Sequence, residues 1–309
     1  MIENKNYISE IETPEGEILV VRDAGYENIT VYNSKELKDA ISKATPNTTI
    51  ILDIKEGEEN PYNELLTLTT KANNSQKINK NYPEAVSFPS NLTIIGKENI
   101  KIYGISITSG VQMKEIWDQS YGDIVRNSDV SNSYVSNNLV LKGLNFERSF
   151  SLRNCNMTGL IIQDCTFGTG ANIQLVPNLS NDQYGNDGSG SLEIIPTYAL
   201  RKVKDIIISG CKFANADKSI TSEISCAIYA KTVENVTVYN NTIENAAANG
   251  IQITGSSGYK KLKTTGNILY IDGYTTGKID ITNNNIKKSG SRGIRLSYMK
   301  DAYISVESN

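Results

Sequence analysis

Histidine does not occur anywhere in the 309 residues of this chain. Every imidazole-based role, whether general acid, general base or metal ligand, is therefore excluded. Tryptophan occurs once, as Trp117. No run of about 18 apolar residues is present, so no membrane-spanning helix is expected. An excess of either charge is also lacking: 31 basic and 34 acidic residues leave a formal net charge of −3. That balance gives no argument for nucleic acid or an anionic membrane as a partner. The opening residues, Met1-Ile-Glu-Asn-Lys-Asn-Tyr-Ile8, lack the apolar stretch of a secretory signal. The four cysteines, Cys155, Cys165, Cys211 and Cys226, include no Cys-x-x-Cys pair, so no zinc site is expected.

What the chain does contain is a recurring pattern. Ile206-Ile-Ile-Ser-Gly-Cys-Lys-Phe213, Val236-Thr-Val-Tyr-Asn-Asn-Thr-Ile243 and Ile279-Asp-Ile-Thr-Asn-Asn-Asn-Ile286 align directly. The last two stay in step, because Asn249-Gly-Ile-Gln-Ile-Thr254 matches Arg292-Gly-Ile-Arg-Leu-Ser297 at the same 43-residue offset (279 − 236 and 293 − 250). Upstream, Leu139-Val-Leu-Lys-Gly-Leu-Asn-Phe146 and Leu160-Ile-Ile-Gln-Asp-Cys-Thr-Phe167 lie 21 residues apart (160 − 139), and Leu92-Thr-Ile-Ile-Gly96 shares the first part. Period-2 alternation signals strands. Recurrence at tens of residues signals units that bury their apolar faces only by stacking.

Two columns of this alignment carry the fold. The fifth reads Gly96, Gly143, Asp164, Gly210, Asn240, Asn283, the residue types that best tolerate a left-handed backbone. Three places on, the column reads Phe146, Phe167, Phe213, Ile243, Ile286, a ladder of large inward side chains. One turn column in register with one core column predicts the same corner made repeatedly, as in a parallel β-solenoid. Cys165 and Cys211 share a column beside the turn. They read as stacked small buried side chains, or as a ladder disulfide in an oxidising compartment.

On these residues, with the segment Glu36-Leu-Lys-Asp-Ala-Ile-Ser-Lys-Ala-Thr-Pro-Asn-Thr-Thr-Ile-Ile-Leu52, the chain resembles the right-handed parallel β-helix proteins of the pectate-lyase-like class over residues 31–309. The resemblance implies an all-β, right-handed single-stranded parallel β-helix. It says little about chemistry, because the fold hosts lyases, hydrolases, adhesins and virus appendages.

Residues 1–30 stand outside the repeat and read as a hairpin: a strand, the turn Pro14-Glu-Gly16 and a second strand. This segment resembles the front of bacteriophage tail and fibre proteins. Next, Asn33 with Glu36 forms a capping-box pattern, Leu37, Ile41 and Ala44 share a helix face, and Pro46 ends the helix. Its expected task is to cover the N-terminal end of the solenoid. The first coil is expected to start at Thr49. Stretches 105–137, 176–202 and 255–277 interrupt the ladder and read as loops or hairpins; the third is either an insertion in one coil or a second coil. Tyr303-Ile-Ser-Val-Glu-Ser-Asn309 reads as the opening strand of a further coil, where either the chain is cut short or a partner covers the end.

The candidate binding strip is the outward column Arg153, Gln174, Tyr229, Gln252 and Arg295. With coils about 4.8 Å apart these side chains would be contiguous. Amide and guanidinium groups hydrogen-bond sugar hydroxyls and carboxylates; an ordinary solvated sheet face has the same look. Hydrolases of the resembled class carry aspartates with a Gly-His-Gly, which this chain lacks. Its calcium-dependent lyases use an Arg or Lys base, and another branch pairs a Lys with an Arg one coil later. Lys231 and Arg295 are the candidates here, but Gln252 stands where that Arg would be. The strip supplies no acidic pair for glycoside hydrolysis. The loop Asp182 to Gly188 resembles part of a calcium loop but lacks its closing glutamate, so no metal ligands are assigned and Ca²⁺ is left open. The resemblances together lead to an expected phage virion appendage (tail fibre, tailspike or head fibre) that forms a homotrimer and binds a cell-surface polysaccharide. The alternatives are a uronate polysaccharide lyase and an extracellular bacterial adhesin.

Overall fold

A computed structural model describes residues 9–12, 18–21, 27–70, 85–98, 100–108, 136–153, 155, 157–177, 202–214, 226–261 and 268–309. Three parallel sheets of nine, six and eight strands are wound from successive segments. The nine-stranded sheet stacks Glu27–Val31, Thr48–Leu52, Leu92–Gly96, Leu139–Lys142, Met157–Gln163, Val203–Ser209, Val233–Tyr239, Thr275–Thr282 and Met299–Glu307 in chain order. Two-residue strands from Lys101–Ile102 to Asn285–Ile286 make the six-stranded sheet. The eight-stranded sheet ends at Arg292–Ser297. The protein is an all-β parallel solenoid.

The register is the one the alignment predicts. Leu92, Leu139, Leu160, Ile206, Val236 and Ile279 are successive partners, and Ile304 continues the row. Alternate residues of these strands point inward and are buried as far as Ile279 and Ile281, whereas Ile304 and Val306 of the last strand are 48% and 44% exposed. Phe146, Phe167 and Phe213 stack with ring centroids 4.8 and 4.6 Å apart. None of the four cysteines forms a disulfide, and all are buried.

The corner row also holds, with one correction. Gly143, Asp164, Gly210, Asn240 and Asn283 have φ between 53° and 65°, and Ser308 joins them at 51°. Gly96 does not: it ends its strand and has no left-handed φ. The connection from there to Lys101–Ile102 is longer than the later ones, so no tight corner is needed. Glycine is required there for space, since a Cβ would lie 2.7 Å from the Gly143 carbonyl oxygen.

A second left-handed row opens the nine-stranded sheet: Asn91, Asn138, Gly159, Asp205, Asn235 and Gly277. Its side chains bond from rung to rung: Asn138 Nδ2 donates to Asn91 Oδ1 at 2.7 Å, and Asn235 Nδ2 to Asp205 Oδ1 at 2.8 Å. A Cβ at Gly159 would fall 2.1 Å from Asn138 Oδ1.

The helix spans Ser34–Lys43, and Asn33 Oδ1 accepts from the Glu36 N–H at 2.9 Å. It packs beside Glu27–Val31, Thr48–Leu52 and Val86–Phe88 at the N-terminal end of the stack. The stack thus includes a strand ahead of the helix, Glu27–Val31, paired with Thr48–Leu52. Further toward the N-terminus, Ser9–Glu12 pairs antiparallel with Ile18–Val21, which is the expected hairpin.

The 43-residue interval is one coil with an insertion. Val236 pairs directly with Ile279, and Ile251 with Ile294. The extra residues form the antiparallel hairpin Ser256–Lys261 with Ile268–Gly273. The stretch 105–137 departs from expectation at its start, since Gly104–Thr108 is a ladder strand with Ile105 and Ile107 buried. Trp117 and the loop Asp182 to Gly188 lie outside the described residues.

Candidate functional site

The eight-stranded sheet presents two outward rows. The first reads Thr67, Ser106, Ser151, Gln174, Tyr229, Gln252, Arg295. Four of the five predicted strip residues are therefore consecutive partners. Arg153 is not in that row: it pairs with Val176, two residues further along its strand, and Ser151 takes the expected place. The connection before Gln174, residues 168–172, is two residues longer than residues 147–149 of the preceding rung, which shifts the register relative to the 21-residue spacing read from sequence. Arg153 still reaches the row, donating from a guanidinium nitrogen to Gln174 Oε1 at 2.8 Å.

The middle of the strip is not a solvated face. Gln174, Tyr229 and Gln252 are 7%, 4% and 4% exposed. Burial demands partners for their polar atoms. Gln174 Nε2 donates to Asn172 Oδ1 at 2.9 Å, and that oxygen also accepts from Ser149 Oγ at 2.5 Å. Asn172 Nδ2 donates to the Cys226 carbonyl at 3.1 Å. Gln252 Oε1 accepts from Asn249 Nδ2 at 2.7 Å and from the Cys226 thiol at 3.4 Å. Asn172 lies directly ahead of the strand Ile173–Val176 and Asn249 opens the strand Asn249–Thr254; burial and these hydrogen bonds show that both face the row. Arg153 and Arg295 are exposed at either end.

Lys231 lies in the adjacent row, paired with Thr254. Arg295 is one strand further on and in the first row. Two inter-rung spacings of about 4.8 Å, roughly 10 Å, therefore separate their backbones along the stack. Thr254 and Ser297, which continue the Lys231 row, share a hydroxyl hydrogen bond of 2.8 Å.

Charged groups gather instead on the nine-stranded sheet. Glu234 sits between Lys202 and Lys204, at 3.5 and 3.2 Å, and Thr276 Oγ1 donates to it at 3.3 Å. Burial pushes the Glu234 carboxyl up, but the two ammonium groups more than offset this and hold it below its ordinary value. On the next strand, Lys278 pairs with Asp280 at 3.0 Å beside a depression of about 300 Å³. Asp164 holds a corner, and Asp280 is ion-paired with Lys278. Among the described residues no group of three or more His, Cys, Asp or Glu side chains is placed to hold a metal ion. No helix among them is long and apolar enough to cross a membrane. Compared with known protein families, with curated proteins and with solved structures, the chain matches none.

Proposed function

We propose that this chain is a non-catalytic module of a phage virion appendage that recognises a cell-surface glycan. In this reading the solenoid is a right-handed β-helix of the pectate-lyase-like class, it assembles as a homotrimer, and the N-terminal hairpin serves attachment. The observation that carries the reading is the chemistry of the eight-stranded face. Gln174 and Gln252 are tied into a fixed lattice with Asn172, Asn249 and the Cys226 thiol. Amides in such a lattice orient hydrogen bonds but do not move protons. Exposed Arg153 and Arg295 flank it with forked donors suited to hydroxyls or carboxylates. A stack of rungs also gives an extended surface for a polymer. The two-rung separation of Lys231 and Arg295 weighs against a lyase pair.

The test is binding of the purified chain to surface polysaccharides from a bacterial panel. The Arg153→Ala/Arg295→Ala variant is run beside it, and absorbance of unsaturated uronate products is followed with calcium present. Expected are binding to at least one polysaccharide, weaker binding in the variant and flat absorbance. Rising absorbance overturns the non-catalytic reading, and no binding across the panel overturns recognition. A dilute monomer in light scattering removes the trimer.

A further inference from the structure

The last two strands of the nine-stranded sheet carry an outward site that the strip does not include. Lys278, Asp280 and Thr282 are direct register partners of Tyr303, Ser305 and Glu307. Together they line the depression of about 300 Å³. That volume is at the small end for ligand sites, suited to a ring-sized group.

Three observations point to what fits. Tyr303 is 82% exposed, whereas Tyr62, Tyr229 and Tyr239 of the same solenoid are buried. A large ring held out on a strand offers a flat apolar surface with a polar tip. Thr282 is 7% exposed, yet its buried hydroxyl has no hydrogen-bond partner. A buried unpartnered hydroxyl is unfavourable and is relieved by an incoming donor or acceptor. The remaining groups are already paired, with Lys278 and Glu307 exposed and Asp280 buried below them: Lys278 pairs with Asp280 at 3.0 Å, and Ser305 Oγ donates to Glu307 Oε1 at 3.0 Å. Two carboxylates against one ammonium leave the lining with an excess negative charge.

We propose that this depression is a binding site for an uncharged sugar ring, stacked on Tyr303 and hydrogen-bonded to Thr282 and the neighbouring carboxylates. The proposal rests on the glycan-recognition reading and adds a second location and a ligand class. Carboxylates accept from sugar hydroxyls, so a hydroxyl-rich neutral ring satisfies Asp280, Glu307 and Thr282 together. A uronate would bring a third negative charge to the same wall and is disfavoured.

The experiment is ligand-observed NMR and calorimetry on the full chain. The probes are neutral trisaccharides of glucose, galactose, mannose and N-acetylglucosamine, with trigalacturonate for comparison. At least one neutral probe is expected to bind, with trigalacturonate weaker. Tyr303→Ala is expected to bind roughly tenfold more weakly, the size of a hot-spot truncation. Tyr303→Phe keeps the ring and is expected to restore binding, while Thr282→Val weakens it. Because Tyr303 is exposed, unfolding midpoints of its variants should match the parent. Neutral-probe binding unchanged in Tyr303→Ala overturns the site and leaves glycan recognition standing. Stronger binding of trigalacturonate overturns the ligand class. Failure of the intact chain to bind any probe or polysaccharide sinks the recognition reading as well.

Discussion

The position after each left-handed corner is Leu144, Cys165 and Cys211 in the middle rungs, and Asn241, Asn284 and Asn309 in the later ones. From Cys165 onward, these side chains meet one column of backbone carbonyls. The Cys165 and Cys211 thiols point at the Leu141 and Ile162 oxygens of the preceding rung, at 3.7 and 3.5 Å. The amides of Asn241, Asn284 and Asn309 donate to Ile208, Val238 and Ile281 in the same column, at 3.0, 2.9 and 2.7 Å. The amides do one thing more. Their Oδ1 atoms accept from the backbone N–H of Cys211, Asn241 and Asn284 at 2.9, 3.1 and 3.0 Å. A thiol is a weak donor that packs as a small hydrophobe, and an amide is a strong donor and acceptor. The middle rungs are therefore held by packing and the later rungs by a continuous amide ladder. The core column changes with them, from stacked phenylalanines to Ile243 and half-buried Ile286.

The sharpest way to break this contrast is to remove core volume on each side. Phe167→Ala should cost about 3–5 kcal/mol, because the ring is fully buried between Phe146 and Phe213. Ile286→Ala should cost clearly less, since its side chain is only partly buried. Urea unfolding midpoints of the two variants decide the matter, and equal losses would mean that packing is uniform along the stack.

The corner itself gives the next largest effect. Asn284→Ala leaves the Val238 carbonyl and the Asn241 N–H without their partner, and each unsatisfied buried group costs about 1–3 kcal/mol. Cys211→Ala removes only weak thiol contacts, so it should cost roughly 1 kcal/mol less or better. Burial pushes the Cys211 thiol well above its ordinary value, and Cys165 beside it adds to this. Both thiols are buried, so they should resist a thiol reagent in the native state and react only on unfolding. Rapid native labelling would show that the middle rungs open.

Much of this contrast was legible in sequence because stacking turns a backbone requirement into a column. Gly143, Asp164, Gly210, Asn240 and Asn283 could be aligned before any coordinates, since few residue types accept a left-handed corner. The second corner row, from Asn91 to Gly277, obeys the same rule and lies one or two places before the first aligned apolar residue of each rung, outside the repeating pattern. The candidate strip was less legible. Alternation fixes which way Gln174, Tyr229 and Gln252 point, but not whether other parts of the chain cover them, and all three are buried. Arg153 stands two residues past the row because the coil lengthens by two residues at 168–172, and two positions of one strand that share a face look alike in sequence. Neither the exposure of Tyr303 nor the unpaired hydroxyl of Thr282 leaves a mark on the sequence.

At the other end of the stack a tyrosine does the work of the amides. The Tyr62 hydroxyl lies 2.6 Å from the Val31 carbonyl and 2.8 Å from that of Asp53, and it accepts from the Asp53 N–H at 3.2 Å. Burial is the main reason its pKa is pushed up, from 10.0 to about 12. The unfolded chain thus loses this proton before the folded one. The contribution is complete below pH 10 and is lost as pH rises from 10 through about 12. Tyr62→Phe should cost about 1–2 kcal/mol at neutral pH and flatten that alkaline loss. An unchanged alkaline slope would put the titration on another group.

The smallest effect belongs to the outer surface, where Glu234 meets Lys202 and Lys204. Its pKa is lowered on folding, so its stabilisation is present above the ordinary carboxylate value of 4.5 and fades as pH falls through the lower folded value. The group is partly exposed, so Glu234→Gln should cost less than about 1 kcal/mol at pH 7. Salt should reduce the difference further. The measurement is the unfolding midpoint of parent and variant between about pH 5 and 3, where the two curves should converge. A loss as large as that of Asn284→Ala would mean that surface ion pairs hold these rungs as firmly as the buried ladder does, and the division between packed and amide-linked rungs would no longer describe the stack.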